Sequence, residues 1–185
     1  MKITPAAEYV LLGILVPGSK HGYEILQFLN AALDSTWHIS TSQLYVLLKK
    51  LQRDGLVTSE VETQETRPSK RVFSLTPSGE AAFLSWLHSP EKHVRDLRIE
   101  FLAKLFFFHR LSLKGAEELI EAQVIILEAI GQKIRKREKT EKDPYKRLVL
   151  SLKIATVDLW LQWLLQRAQP YFEKDAGLLS PPPQL

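Results

Sequence analysis

The chain has no cysteine, which excludes disulfide staples and thiolate metal ligands and fits a reducing cytoplasm. It also lacks a glycine-rich phosphate loop and a G-x-S-x-G nucleophile elbow, the signatures of common nucleotide-binding and hydrolytic sites. The five histidines, at 21, 38, 88, 93 and 109, show no H-E-x-x-H or other tight metal spacing. His88 and His93 with Glu91 between them could hold a metal, but solvated linker side chains are the favoured reading. The expectation is a protein with no cofactor and no enzymatic activity. No signal-like segment is evident either. Only Lys2 precedes the short apolar run Tyr9 to Val16, behind Thr4-Pro5, and that run is too short to span a bilayer. No membrane partner is expected, and the localisation expected is cytoplasmic.

Excess charge is missing from the first half as well. Residues 1–90 carry eight Lys/Arg and eight Asp/Glu, whereas 91–185 carry seventeen against thirteen. The net charge of +4 therefore cannot argue for nucleic-acid binding by the first half, and only a local arrangement of cations could.

What is present begins with length and apolar content. The 185 residues, 45% apolar and 25% charged, suffice for one well-cored domain or a small domain with an extension. The most informative stretch is Ser40 to Gly55. Ser40 and Gln43 have the S-x-x-Q spacing of a capping box, and Gly55 supplies a helix stop. Between them Leu44, Leu47, Leu48 and Leu51 recur at i, i+3, i+4 and i+7, one buried stripe. The other side presents Thr41, Ser42, Gln43, Tyr45, Lys49, Lys50 and Arg53, groups suited to base edges and phosphates. An ordinary solvated helix face has the same composition, so the surrounding chain decides.

Thr4-Pro5 starts a first helix that runs to Leu15, before Pro17-Gly18. A second helix is expected from about Ser19, with Tyr23, Leu26, Leu29 and Leu33 inward, and Trp37 and Ile39 plug the core before the third. His21 opens the second helix, where it could meet a phosphate, while Tyr23 is at least as well read as core. Beyond Gly55 the pattern turns to β: Leu56 to Glu62 and Lys70 to Leu75 alternate roughly, about a long polar tip at Thr63 to Ser69. Arg67, Lys70 and Arg71 give that hairpin a local cluster of cations. Thr76-Pro77 then begins a fourth helix with Phe83 and Leu87 inward. Helix, helix, helix, hairpin, helix is the order of a winged helix-turn-helix, in which the third helix enters the major groove and the hairpin follows the backbone. The fold class expected is mainly α with a small β-hairpin: such a domain over 1–89, an α-helical dimerisation domain over 90–175, and a disordered Pro-rich tail over 176–185.

In the second half, Asp96 to Leu111 forms a strongly apolar helix containing Leu97, Phe101, Leu102, Leu105, Phe106 and Phe108. Ser112 is expected to cap the next helix, which runs to about Lys139 with Leu119, Leu127, Ile130 and Ile134 along one side. After Pro144 a last helix reaches about Gln169, with Leu148, Leu152, Ala155, Leu159 and Trp163 in line and Trp160 beside them. Helices this apolar, with so little globular mass beside them, pair with a second copy more often than they stand alone. Leu105, Phe106, Phe108, Leu127, Leu152, Leu159, Trp160 and Trp163 are the residues expected at a dimer interface or in a pocket for a flat ligand. The basic run Lys133 to Arg147 reads as a solvated helix end that could also touch phosphates flanking a binding site.

The strings His21-Gly22-Tyr23-Glu24, Gln43-Leu44-Tyr45, Gly55-Leu56-Val57, Lys70-Arg71-Val72-Phe73 and Leu75-Thr76-Pro77-Ser78-Gly79, in this order, resemble the PadR family of bacterial transcriptional regulators. Arg98-Ile99-Glu100-Phe101-Leu102 and Lys104-Leu105-Phe106-Phe107 are similar, more loosely, to the longer C-terminal domain of one branch of that family. The resemblance implies a homodimer that binds a pseudo-palindromic operator in double-stranded DNA. It further implies repression, often relieved by a small aromatic or amphipathic ligand. Two positions depart from the family pattern. Val46 stands where proline is usual and Gln52 where glutamate is usual, which bears on docking angle and operator preference. His21, Ser40 to Gln43, Tyr45, Lys49, Lys50, Arg53, Arg67, Lys70 and Arg71 are thus the candidate DNA-binding set. The neutral first half keeps a rival reading open, a winged-helix module that docks onto a partner protein.

Overall fold

The computed structural model describes residues 5–33, 39–64 and 67–175. Trp37 and the Pro-rich tail lie outside the described residues. The chain divides into two compact units between Leu87 and His88.

In the first unit α1 (Pro5–Leu15) is buried on almost every side, through Ala6, Ala7, Val10, Leu11, Leu12, Ile14 and Leu15. A helix apolar all round can be stable only at the centre of a core, and the other elements pack about it. The second helix starts later than the sequence suggests. Lys20–His21 form a short strand, β1, and α2 spans Gly22–Ala32. A two-residue strand has no periodicity to detect, because its partner is supplied by the hairpin far along the chain. The buried face of α2 is Gly22, Ile25 and Leu29, continued by Leu33, and Tyr23 is exposed rather than inward. The inward face is therefore rotated from the one expected.

Helix α3 (Thr41–Arg53) buries Leu44, Leu47, Leu48 and Leu51 as expected. It ends in a Schellman arrangement, with Leu56 N–H donating to Leu51 O (2.9 Å), Gly55 N–H donating to Gln52 O (3.1 Å) and Gly55 at φ 72°. Strands β2 (Val57–Gln64) and β3 (Arg67–Leu75) pair antiparallel, and β1 adds to the far side of β3, giving the order β1-β3-β2. The long polar tip is a correction. Pairing continues through Glu62↔Lys70 to Gln64↔Arg67 across a register irregularity, because two polar edges can ladder without an apolar alternation to reveal it. Helix α4 (Pro77–Leu87) is capped by Thr76, whose hydroxyl donates to Gly55 O (2.8 Å) and accepts from Gly79 N–H (3.0 Å). Gly79 is required there, since a Cβ would run into the Leu56 carbonyl. Phe83 and Leu87 are buried, and Trp86 stacks on Tyr9 at 5.3 Å.

The second unit is helical. Helix α5 (Val94–Asp96) passes through a π-type turn, Leu97–Phe101, into α6 (Leu102–Arg110). Ser112 does not cap the next helix: it lies in the connecting turn at φ 50°, and α7 (Ala116–Thr140) starts behind Gly115 at φ 111°. Helix α8 (Pro144–Trp163) continues through a second π-type turn, Leu164–Ala168, into α9 (Gln169–Asp175), past the expected end. By length and composition alone, Pro144–Glu173 is apolar enough to cross a bilayer. Here it packs on α7, with Arg135 of α7 paired to Asp158 and Gly131 admitting Val157 at close range.

The segment joining the units is tied down by a buried polar network rather than solvated. Lys104, 2% exposed, donates to Ser89 O (2.5 Å) and pairs with the Glu91 carboxylate. Gln123 closes the network by accepting from Glu91 N–H (2.6 Å) and donating to Glu91 O (2.9 Å). This overturns the reading of Glu91 as a solvated linker side chain. The charge is tolerated because its partner and hydrogen bonds are supplied together. A signal was present in the sequence: Lys104 lies on the inward face with Leu97, Phe101, Leu105 and Phe108.

Candidate nucleic-acid interface

The exposed face of α3 begins at its cap. The Ser40 hydroxyl accepts from Gln43 N–H (3.2 Å), and Gln43 Oε1 accepts from Ser40 N–H (2.9 Å). That engages the Gln43 carbonyl oxygen in the cap and leaves its amide group to donate. Thr41 and Ser42 are exposed at the first helical positions, where hydroxyls and unsatisfied amides face an incoming anion.

Tyr45 is 45% exposed and its ring lies over Gly22. A Cβ at Gly22 would come within 2.6 Å of the Tyr45 hydroxyl, so the glycine of the H-G-Y-E string makes room for the tyrosine of the Q-L-Y string. This contact joins α2 and α3 and orients the tyrosine on the exposed face. In the sequence the two strings stand apart, with nothing local to link them. Lys49 is exposed one turn further along.

The remaining α3 cations are less available. Lys50 donates to both oxygens of Glu8 on α1 (2.6 and 2.5 Å) and lies 3.7 Å from Asp54. The hydrogen bond to Glu8 is the main cause of a Lys50 pKa above its ordinary 10.5. Lys50 therefore fastens α3 to α1 rather than offering a free charge. Arg53 is exposed, with its Nε 3.6 Å from Asp54.

At the start of α2 the Glu24 carboxylate accepts from His21 N–H (2.6 Å), and the His21 imidazole stacks on Tyr23 at 5.7 Å. Its Nε2 lies 3.6 Å from Glu62 on β2, which sets His21 between α2 and the hairpin. Arg71 is exposed on β3 opposite Val61. Arg67 and Lys70 belong to β3 by backbone, and their side chains lie outside the described residues.

The second unit divides the other expected set. Phe108 and Leu127 are buried within it, 1% and 0% exposed, so they pack this unit's own core. Leu152 and Leu159 lie on an open face of α8 at 68% and 65% exposure, with Leu148 at 65%. Leu105, Phe106 and Trp163 line a groove of about 420 Å³ together with Leu102, His109, Arg167, Ala168, Tyr171 and Phe172. Trp160 stands edge-on to Trp163 at 5.7 Å, outside the lining. No grouping of three His, Asp or Glu close enough to hold a metal occurs among the described residues.

Residues 11–85, which hold the α3 face and the hairpin, match the model of the transcriptional regulator PadR-like family. Through this segment the chain is similar to the PadR-like family. That family is described as one of transcriptional regulators. The chain is 32% identical over 117 residues to the negative transcriptional regulator PadR of Bacillus subtilis, covering 63% of this chain and 64% of that protein. Against a probable transcriptional regulator of Mycobacterium tuberculosis, Rv1176c, identity is 25% over 93 residues, covering 50% and 49%. The chain thus spans between about half and just under two thirds of the length of these curated relatives. The crystal structure of Bacillus subtilis PadR with operator DNA overlays with a TM-score of 0.46 at 26% identity, over 85% of this chain and 94% of that one.

Proposed function

We propose that this PadR-like chain is a cytoplasmic repressor that binds a pseudo-palindromic operator as a homodimer. One observation carries the reading. Within the PadR-like segment, α3 is held to its unit by four buried leucines and a capped N-terminus, and its opposite face presents Thr41, Ser42, Tyr45 and Lys49 to solvent. The hairpin cations Arg67, Lys70 and Arg71 are assigned to the phosphate backbone. The name of the Bacillus subtilis relative, a negative regulator, supports repression.

The homodimer rests on the two faces of α8. Leu150, Val157 and Leu164 are the buried face. Leu148, Leu152, Ala155 and Leu159 recur at 4-3-4 spacing and are exposed. Two residues correspond to about 200° of helix rotation, so these seams lie on opposite sides. The outer seam has coiled-coil spacing, the pattern a second helix takes up. It is assigned to a second copy rather than to lipid, because Lys153, Asp158, Gln162 and Gln166 interrupt the apolar run. The groove beside Phe106, Trp163 and Tyr171 is the place assigned to an aromatic effector, with Arg167 at its wall and Tyr171 Oη 3.0 Å from His109 Nδ1. Quenching of tryptophan fluorescence by cinnamate, lost on Trp163→Leu, is expected; no quenching would remove that assignment.

The test of the main reading is fluorescence anisotropy with duplex from the region upstream of the protein's own gene, against random duplex. Preference for the upstream duplex, falling steeply with salt, is expected. A second reading, a winged-helix module for a partner protein, draws support from the neutral charge of residues 1–90 and from the Glu8–Lys50 pair. Substituting Tyr45→Ala with Lys49→Ala abolishes DNA preference under the first reading and leaves DNA affinity unchanged under the second.

A further inference from the structure

The turn between α7 and α8 gathers cations that play no part in the α3 surface. Residues 133–147 hold eight Lys/Arg and three Asp/Glu. Of the eight, Arg135 is paired with Asp158; the other seven are exposed and make no ion pair among the described residues. Two of the three acids are engaged by backbone. Glu141 accepts from Asp143 N–H (3.3 Å), and Asp143 accepts from Tyr145 and Lys146 N–H (2.9 and 3.2 Å).

Helix-dipole stabilisation accounts for only part of this. Arg137 and Lys139 lie in the last turn of α7, where a cation is favoured. Lys146 and Arg147 lie at the start of α8, where the dipole disfavours them. Cations kept on both sides of one short turn repel one another, and a polyanion relieves that repulsion. On the α7 side Ile134 is the lone large apolar side chain between Gly131 and Asp143, too little for the apolar face by which a basic helix inserts into a bilayer; on the α8 side Tyr145 and Leu148 are exposed, so vesicle binding is an arm of the test.

We infer that the α7–α8 turn is a second, sequence-independent binding surface for the phosphate backbone of duplex DNA. The inference rests on the DNA-binding reading of α3 and adds to it. The winged unit is electrically neutral and its Lys50 is already paired. The chain's entire cationic excess therefore lies in the other unit, where it supplies affinity without reading bases.

The test compares wild type with the triple variant Lys139→Gln, Lys142→Gln, Lys146→Gln on two duplexes. One is a minimal upstream duplex, and the other is the same duplex lengthened by about two helical turns at each end. All three positions are exposed, so an unchanged circular dichroism spectrum and melting curve are expected. The variant is expected to bind the long duplex roughly tenfold more weakly, with a salt slope shallower by about 0.9 for each phosphate it no longer neutralises. Equal affinity and slope for both proteins on the long duplex would overturn the inference. So would binding to phosphatidylserine-containing vesicles that the variant loses while its DNA binding is unchanged, which would point to a membrane surface. Failure of wild type to prefer the minimal upstream duplex over random duplex would instead refute the α3 reading, and this inference with it.

Discussion

The two units handle apolar surface in opposite ways. In the first, α1 is buried on nearly all sides, α3 turns its whole leucine stripe inward, and the large apolar or aromatic side chains left exposed, Tyr23, Tyr45, Val46 and Val61, are scattered over α2, α3 and the hairpin. In the second, α8 uses one seam against α7 and leaves another of matching spacing in solvent, with Leu148, Leu152 and Leu159 each about two thirds exposed. The first unit completes its own core and offers a surface that depends on hydrogen bonds and charge. The second has more apolar surface than its own core uses, and a matching copy would cover it. Recognition and pairing are thereby assigned to surfaces of different chemistry, and each can be disrupted while the other stays intact.

The largest expected effect comes from the open seam. Replacing Leu152→Asp and Leu159→Asp removes about 1.5–3 kcal/mol of burial per leucine per protomer and should convert a dimer to a monomer in sedimentation analysis. Operator affinity should fall with it while the helical circular dichroism is retained. A dimer that survives both changes would place the pairing surface elsewhere.

Next is the buried network under the inter-unit segment. Lys104→Met leaves the Glu91 carboxylate without its cation, at a cost of about 3–5 kcal/mol, measured as a lower urea midpoint. Adding Glu91→Gln should recover part of the loss, as expected if the uncompensated charge rather than the poorer packing dominates. In the first unit, Gly22→Ala should cost about 1 kcal/mol, the low end for overpacking, since the obstructing group is the end of a half-exposed side chain that can move. DNA affinity should nevertheless fall, because the atom that moves is the Tyr45 hydroxyl.

The smallest effect concerns Lys50. Its folded-state pKa lies above 10.5, so the contribution of the Glu8 pair is fully present below the unfolded value and is lost as pH rises through the folded one. Stability curves of wild type and Lys50→Met should therefore differ at neutral pH and converge at strongly alkaline pH.

What is legible in the sequence is whatever local chemistry determines. The α3 cap, the Leu44/Leu47/Leu48/Leu51 stripe, the Gly55 stop and the Thr76-Pro77 start each depend on residues within a few positions of one another, and all appear in the fold as expected. Apart from the Ser112 cap, displaced locally by Gly115, the errors fall where distant partners decide. Lys20 and His21 become a strand only because Phe73 and Val72 lie beside them. Tyr23 faces outward because Gly22 and Ile25 take the inward positions of α2. Lys50 reads as a free cation until Glu8, 42 residues earlier, is placed against it. On α8 the apolar content is evident, but with apolar residues on both faces periodicity does not say which seam meets α7. The line through Leu148, Leu152 and Leu159 is no more regular in sequence than Leu150, Ile154, Val157, Leu161 and Leu164, and it is the outer one.

The central claim is that the face of α3 bearing Tyr45 and Lys49 reads DNA from the major groove when two copies are held together. The most direct measurement is footprinting with guanine-methylation interference on the region upstream of the gene. The expected result is two protected half-sites about one helical turn apart, blocked by major-groove methylation and lost in the Tyr45→Ala, Lys49→Ala protein. A footprint unchanged by those two substitutions would contradict the claim.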